Sequence, residues 1–100
     1  MHVKTLLIAV LIAVALPVHA DENQDKCKKI SALAGEAMTA RQRGDLLEDA
    51  MASVGDQSKF SNAVVMKAYG ASVGQSDREK QKAVSDFRNE AFAECYQAFN

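Results

Sequence analysis

Cys27 and Cys95 are the only cysteines of this 100-residue chain, and they stand near the two ends of everything that follows residue 20. Joining them closes a loop of about 69 residues, for which a chain-entropy treatment gives roughly 4 kcal/mol of stabilisation before any native strain is subtracted. A chain closed in this way must bring its beginning against its end. Reactive or metal-binding thiols usually keep a CxxC spacing or a histidine partner, and neither accompanies these two. A structural disulfide is therefore expected.

Residues 1–20 read as a cleaved export signal. Lys4 precedes an apolar run from Leu6 to Leu16, and Pro17-Val18-His19-Ala20 places small or apolar residues three and one before a cut after Ala20. The run falls short of the roughly 20 apolar residues of a membrane span, and Asp21-Glu22-Asn23-Gln24 follows at once. No stable membrane insertion is expected. Because no cysteine sits at the cut, lipid anchoring is also disfavoured. Such a leader directs the remainder, residues 21–100, to the periplasm or the medium, where disulfides persist.

Removing the leader takes away His2 and His19, the only histidines. What remains cannot build a Ser-His-Asp or Cys-His nucleophilic site, a histidine metal site or a histidine pH switch. It carries 11 basic and 13 acidic residues, a net charge of −2 that draws neither nucleic acid nor an anionic membrane strongly. Glu36, Glu48, Asp49, Asp86, Glu90 and Glu94 fall on expected exposed or capping positions, which suits solvation better than acid–base catalysis. The carboxylates lack the alternation of a calcium loop, and no glycine-rich phosphate cradle precedes a helix. No catalytic residue, metal site or cofactor is expected.

Residues 21–100 make one small domain with a thin core. Of their 33 apolar residues, 13 are alanine and two are cysteine, leaving 18 larger side chains. Chains of this size often depend on a staple.

The apolar spacing is helical throughout. Cys27, Ile30, Ala34, Ala37 and Met38 form a stripe on a first helix that ends at Gly44, a residue suited to the left-handed position past a helix end. Asp45, with Glu48 three residues on, has the layout of an N-cap for a short second helix with the stripe Leu46, Leu47, Ala50, Met51 and Val54. Ser58 caps a third helix over Lys59 to Tyr69, with Phe60, Val64 and Ala68 along one side and Val65 and Tyr69 beside them. Gly70 to Gln75 reads as a loop, and Ser76-Asp77-Arg78-Glu79 as a capping box. The fourth helix runs to about Ala98, burying Ala83, Val84, Phe87, Ala91, Cys95 and Ala98 or Phe99.

The expected architecture is all-α: a small four-helix bundle-like domain whose first and last helices lie antiparallel and are joined by the disulfide. Arg41, Gln42 and Arg43 then approach the start of the fourth helix. Arg41 continues the first stripe and needs a partner, either a carboxylate such as Asp77 or the carbonyls at a helix end.

Three segments carry a resemblance: Ala37-Met38-Thr39-Ala40-Arg41-Gln42-Arg43-Gly44, Ala68-Tyr69, and Phe87 through Cys95. They are similar to parts of a loose group of small exported helical proteins of Gram-negative bacteria and their phages. The resemblance implies an all-α two-cysteine domain and carries over no activity.

Two functions fit these residues. The first is a non-catalytic module of the envelope, an inhibitor, immunity-type or accessory protein that binds another envelope or extracellular protein. Arg41, Arg43 and Tyr69 are its candidate contacts, being side chains that commonly anchor interfaces. They also fit a structural role, the arginines complementing a helix dipole and Tyr69 packing inward. The second function is an acid- or envelope-stress chaperone of the periplasm, opened when its 13 carboxylates are protonated.

Overall fold

The computed structural model describes residues 18–99, with side chains from Glu22 onward. The leader expected over residues 1–20 lies, as far as Pro17, outside the described residues. Four helices follow in order: α1 (Val18–Arg43), α2 (Leu47–Ser53), α3 (Lys59–Tyr69) and α4 (Asp77–Phe99), with no strand among the described residues. α1 begins well ahead of Cys27. The segment between contains no glycine or proline to interrupt a helix.

Each turn between helices has a local chemical cause. Gly44, at φ +87°, closes α1: its N–H donates to the Arg41 carbonyl (3.0 Å) while the Asp45 N–H donates to the Ala40 carbonyl (3.1 Å). These are the two bonds of a Schellman closure. The expected cap of α2 by Asp45 does not form. Leu46 occupies the cap position with no side-chain bond to the helix, and the Asp45 carboxylate pairs with Arg43 at 2.6 Å. Leu46 is correspondingly exposed, not part of the buried stripe. Gly55 has a positive φ and lies so close to Ser61 and Leu33 that a Cβ there would collide with both.

The later caps follow the sequence more closely. Ser58 Oγ accepts from the Ser61 N–H at 3.1 Å, and the Asp56 carboxylate accepts from the Ser58 N–H at 3.0 Å. At α4, Ser76 Oγ accepts from the Glu79 N–H (3.1 Å), while the Glu79 carboxylate reaches back to the Gln75 N–H (2.6 Å). The box thus closes one residue earlier than its usual form.

α1 is the platform. It carries Ala34, Ala37, Met38 and Ala40 in the core, joined there by Ala50, Val54, Val65, Ala68 and Phe87. α1 and α4 lie antiparallel along their length. Cys27 bonds Cys95 with Cα atoms 5.5 Å apart. Further along, Arg88 Nε donates to Ser31 Oγ at 3.2 Å and the Arg88 methylenes lie over Gly35. Alanine and glycine on α1 permit this close approach but supply little apolar area, roughly 25 cal/mol for each Å² buried.

α3 keeps Val65 and Ala68 of the expected face but turns away from the rest of it. Ser61, Val65 and Ala68 are its buried residues, whereas Phe60 is exposed and Val64 only half-buried. The helix is rotated by about one position relative to its apolar stripe. In α4, Phe87 and Cys95 are buried as expected, but Ala98 and Phe99 are exposed.

Replacing Cys27 and Cys95 together by serine is expected to lower the unfolding free energy by about 2–4 kcal/mol. Urea titration of the oxidised protein and the double variant measures this, and coincident midpoints would mean that the bond does not hold the fold.

Candidate functional site

The three residues singled out as contacts gather at the end of α1 opposite the disulfide. Arg41 is half-buried: its Nε donates to the Ala71 carbonyl (2.9 Å), just past the end of α3, and its guanidinium lies 5.4 Å from the centre of the Tyr69 ring. Of the two expected partners, the carbonyl is the one found. The Tyr69 hydroxyl donates to the Asp45 carbonyl at 2.8 Å, tying the end of α3 to the α1–α2 turn. Burial, with the Asp45 charge second, raises the Tyr69 pKa above its ordinary value. Arg43 points outward and holds Asp45. Its hydrogen bond keeps the Asp45 carboxyl below the usual range.

Gln42 is the residue at this end whose role the sequence did not reveal. It is 3% exposed; its amide nitrogen donates to the Ser72 carbonyl (3.0 Å), and its amide oxygen accepts from the Gly74 N–H (2.8 Å). One buried side chain therefore fixes the 70–76 loop and the entry of α4. The available signal was its place four residues after Met38, on the same stripe.

The other end of the molecule holds an open apolar cleft of about 350 Å³ beside the disulfide. α3 and α4 both pack on α1 and hardly on each other, which leaves a gap between them. Ile30 of α1 lies in the gap, with Phe60 and Val64 of α3 on one side. Ala91, Cys95, Ala98 and Phe99 of α4 line the other side. The Phe92 and Tyr96 rings stack 6.1 Å apart on α4, and Lys26 lies 5.0 Å from the Phe99 ring centre.

Charge is confined to the rim of the cleft. Lys67 of α3 reaches across to Glu90 (2.8 Å) and Glu94 (3.3 Å) of α4. These two carboxylates, Glu90 first, raise the Lys67 pKa. A second recess of about 290 Å³, reaching Met38, Ala71 and Ala83, shares Lys67, Phe87 and Glu90 with the cleft. An apolar trough rimmed by a few charges suits an apolar side-chain row or chain better than a polar metabolite. Among the described residues, no three metal-liganding side chains come together and no helix is long and apolar enough to cross a membrane.

Gln42→Ala leaves the Gly74 N–H and the Ser72 carbonyl without their partner and should cost about 2–3 kcal/mol of stability. Denaturant unfolding reads this, and a loss below about 0.5 kcal/mol would show that the loop is held by something else. The pH response follows from four groups. Asp45, through Arg43, and Asp56, through Ser58, lie below the ordinary carboxylate range. Their stabilisation is complete above the unfolded-chain value near about 3.9 and is lost as pH falls through the folded values. Lys67 and Tyr69 are raised, so their contributions are complete below their unfolded values near about 10 and fade as pH rises further. Thermal melts should therefore be flat between about pH 5 and 9 and decline on either side, whereas a fall beginning near pH 6 would contradict this assignment.

No family model matches the chain, and neither the curated proteins nor the solved structures contain a significantly similar one.

Proposed function

We propose that the chain is an exported, non-catalytic protein-binding module of the cell envelope, of the inhibitor, immunity-type or accessory kind, and that it engages its partner through the cleft between α3 and α4. The cleft carries this reading. A domain with few large apolar residues leaves Phe60 and Phe99 exposed at one trough, and such patches mark interaction surfaces more often than they arise idly. Export to the periplasm or the medium is supported by the apolar leader and by the disulfide, which belongs to an oxidising compartment.

Arg41 and Tyr69 are already engaged within the chain, so in this reading their contribution is to hold the shape of the domain. Arg43, outward with Asp45, remains available as a contact at the far end of α1. The acid-opened chaperone has less support. None of the described carboxylates is buried, and their four ion pairs are exposed or nearly so, which makes each a weak contributor.

Oxidised mature protein, whose intact mass should equal residues 21–100 less two hydrogens, is immobilised and exposed to envelope extract beside a Phe60→Asp variant. Phe60 is exposed, so the variant should fold. One stoichiometric partner held by the parent and released by the variant is the expected result. No retained protein, or equal retention by both, would count against the cleft as the docking surface.

A further inference from the structure

We propose that the groove along the α1–α4 seam, on the side away from α3, is a docking site for an acidic segment of a partner protein, anchored by Arg88 and Lys80. Two recesses of about 510 and 620 Å³ meet there at Thr39, Arg43 and Val84, and no α3 residue lines either one. The end of α2, at Ser53 and Val54, forms one bank. The groove shares no lining residue with the apolar cleft and does not depend on it.

The first observation is how Arg88 is held. Gly35 is the only glycine among the 26 residues of α1. A glycine inside a helix costs stability relative to alanine. Here a Cβ would stand 2.8 Å from Arg88 Cδ, closer than such atoms approach. The glycine thus leaves room for the Arg88 side chain to cross α1, where its Nε donates to the buried Ser31 Oγ. Among the described residues no carboxylate lies within ion-pair distance of Arg88. A guanidinium seated through Nε keeps its two terminal nitrogens for a further acceptor, and that fork matches a carboxylate.

The second observation is the sorting of charge on α4. Toward α3 the helix carries Asp86, Glu90 and Glu94, answered by Lys82 and Lys67. Toward the groove it carries Lys80 and Arg88. Lys80 is half-buried and forms no ion pair among the described residues. Arg43 also lines the groove but is already met by Asp45, and Glu36 is the one carboxylate of the lining. Arg88 and Lys80 therefore supply the unanswered charge. Residues 21–100 carry a net −2, so a long polyanion is repelled by the domain as a whole while a short acidic segment meets the local excess.

Spacing narrows the partner further. Lys80 and Arg88 stand eight positions apart on α4, about 12 Å along its axis. An extended chain covers that distance in about four residues. Side chains four apart in a strand share one face, so two glutamates separated by three small polar residues reach both cations.

The test titrates isotope-labelled, oxidised mature protein with the peptide Gly-Ser-Glu-Ser-Gly-Ser-Glu-Ser-Gly at low salt, following amide shifts by NMR. The shifts should saturate and centre on Gly35, Thr39, Val84 and Arg88. Arg88→Gln and Lys80→Gln should each weaken binding at least about fivefold, and Glu36→Gln should tighten it. Lys82→Gln removes the same charge outside the groove and should change the affinity by less than about twofold, as should Phe60→Asp in the cleft. Gly35→Ala should keep or raise the thermal midpoint, since alanine favours a helix, yet weaken binding by displacing Arg88. Circular dichroism confirms the fold of each variant. Shifts that do not saturate, or an affinity lowered as much by Lys82→Gln as by Arg88→Gln, overturn the proposal. Tighter binding of a thymidine oligonucleotide through the same two cations gives the groove to nucleic-acid phosphates and also overturns it. Each of these failures leaves the cleft reading standing, because Phe60→Asp tests that surface separately.

Discussion

The Cys27–Cys95 bond sets the frame on which the rest of the structure depends. It fixes α1 against α4 near one end of their contact, with the two Cα atoms 5.5 Å apart. Packing alone would hold the domain less firmly, because three of the four core residues that α1 contributes, Ala34, Ala37 and Ala40, are alanines that bury little area. Small side chains bring the helices close, and the covalent link supplies what the missing area cannot. In a domain of about 80 residues, a few kcal/mol is a large share of net stability.

The opposite end is held by polar contacts. Gln42 clamps the 70–76 loop, Arg41 bonds the Ala71 carbonyl, and the Tyr69 hydroxyl reaches Asp45. The four main-chain groups concerned, the carbonyls of Asp45, Ala71 and Ser72 and the Gly74 N–H, lie in turns, where no helical ladder satisfies them. Side chains from α1 and α3 thus complete the turns that connect the helices. The molecule has a covalent end and a hydrogen-bonded end, with the thin core between them.

The cleft follows from this division. With α3 and α4 each seated on α1, the room between them depends on side-chain size at the contact, and small residues there do not close it. Phe60, Val64 and Phe99 line the result. An inward rotation of α3 by one position would have buried Phe60. It would also have moved Val65 and Ser61, which fit against α1 and the Val54 carbonyl, away from their partners. The close packing beneath α3 and the open trough above it are two sides of the same choice.

Much of the fold was legible in the residues. Apolar recurrence at three and four positions marked the helices, Gly44 the end of the first, Ser58 and Ser76 the caps, and the cysteine positions the antiparallel seam. These signals are local, or in the case of the cysteines covalent, and do not depend on what surrounds them. The Asp45 cap was misread because Arg43, two residues away across the Gly44 turn, competes for the same carboxylate. The sequence thus determined helices in this order, the joining of the first to the last through Cys27 and Cys95, and the lack of histidine among residues 21–100. Only the tertiary structure decided which apolar stripe is covered. Periodicity records that Phe60, Val64, Ala91 and Phe99 share apolar faces, but whether another helix lies over a face depends on the distances between helices, which are set by packing across the whole domain.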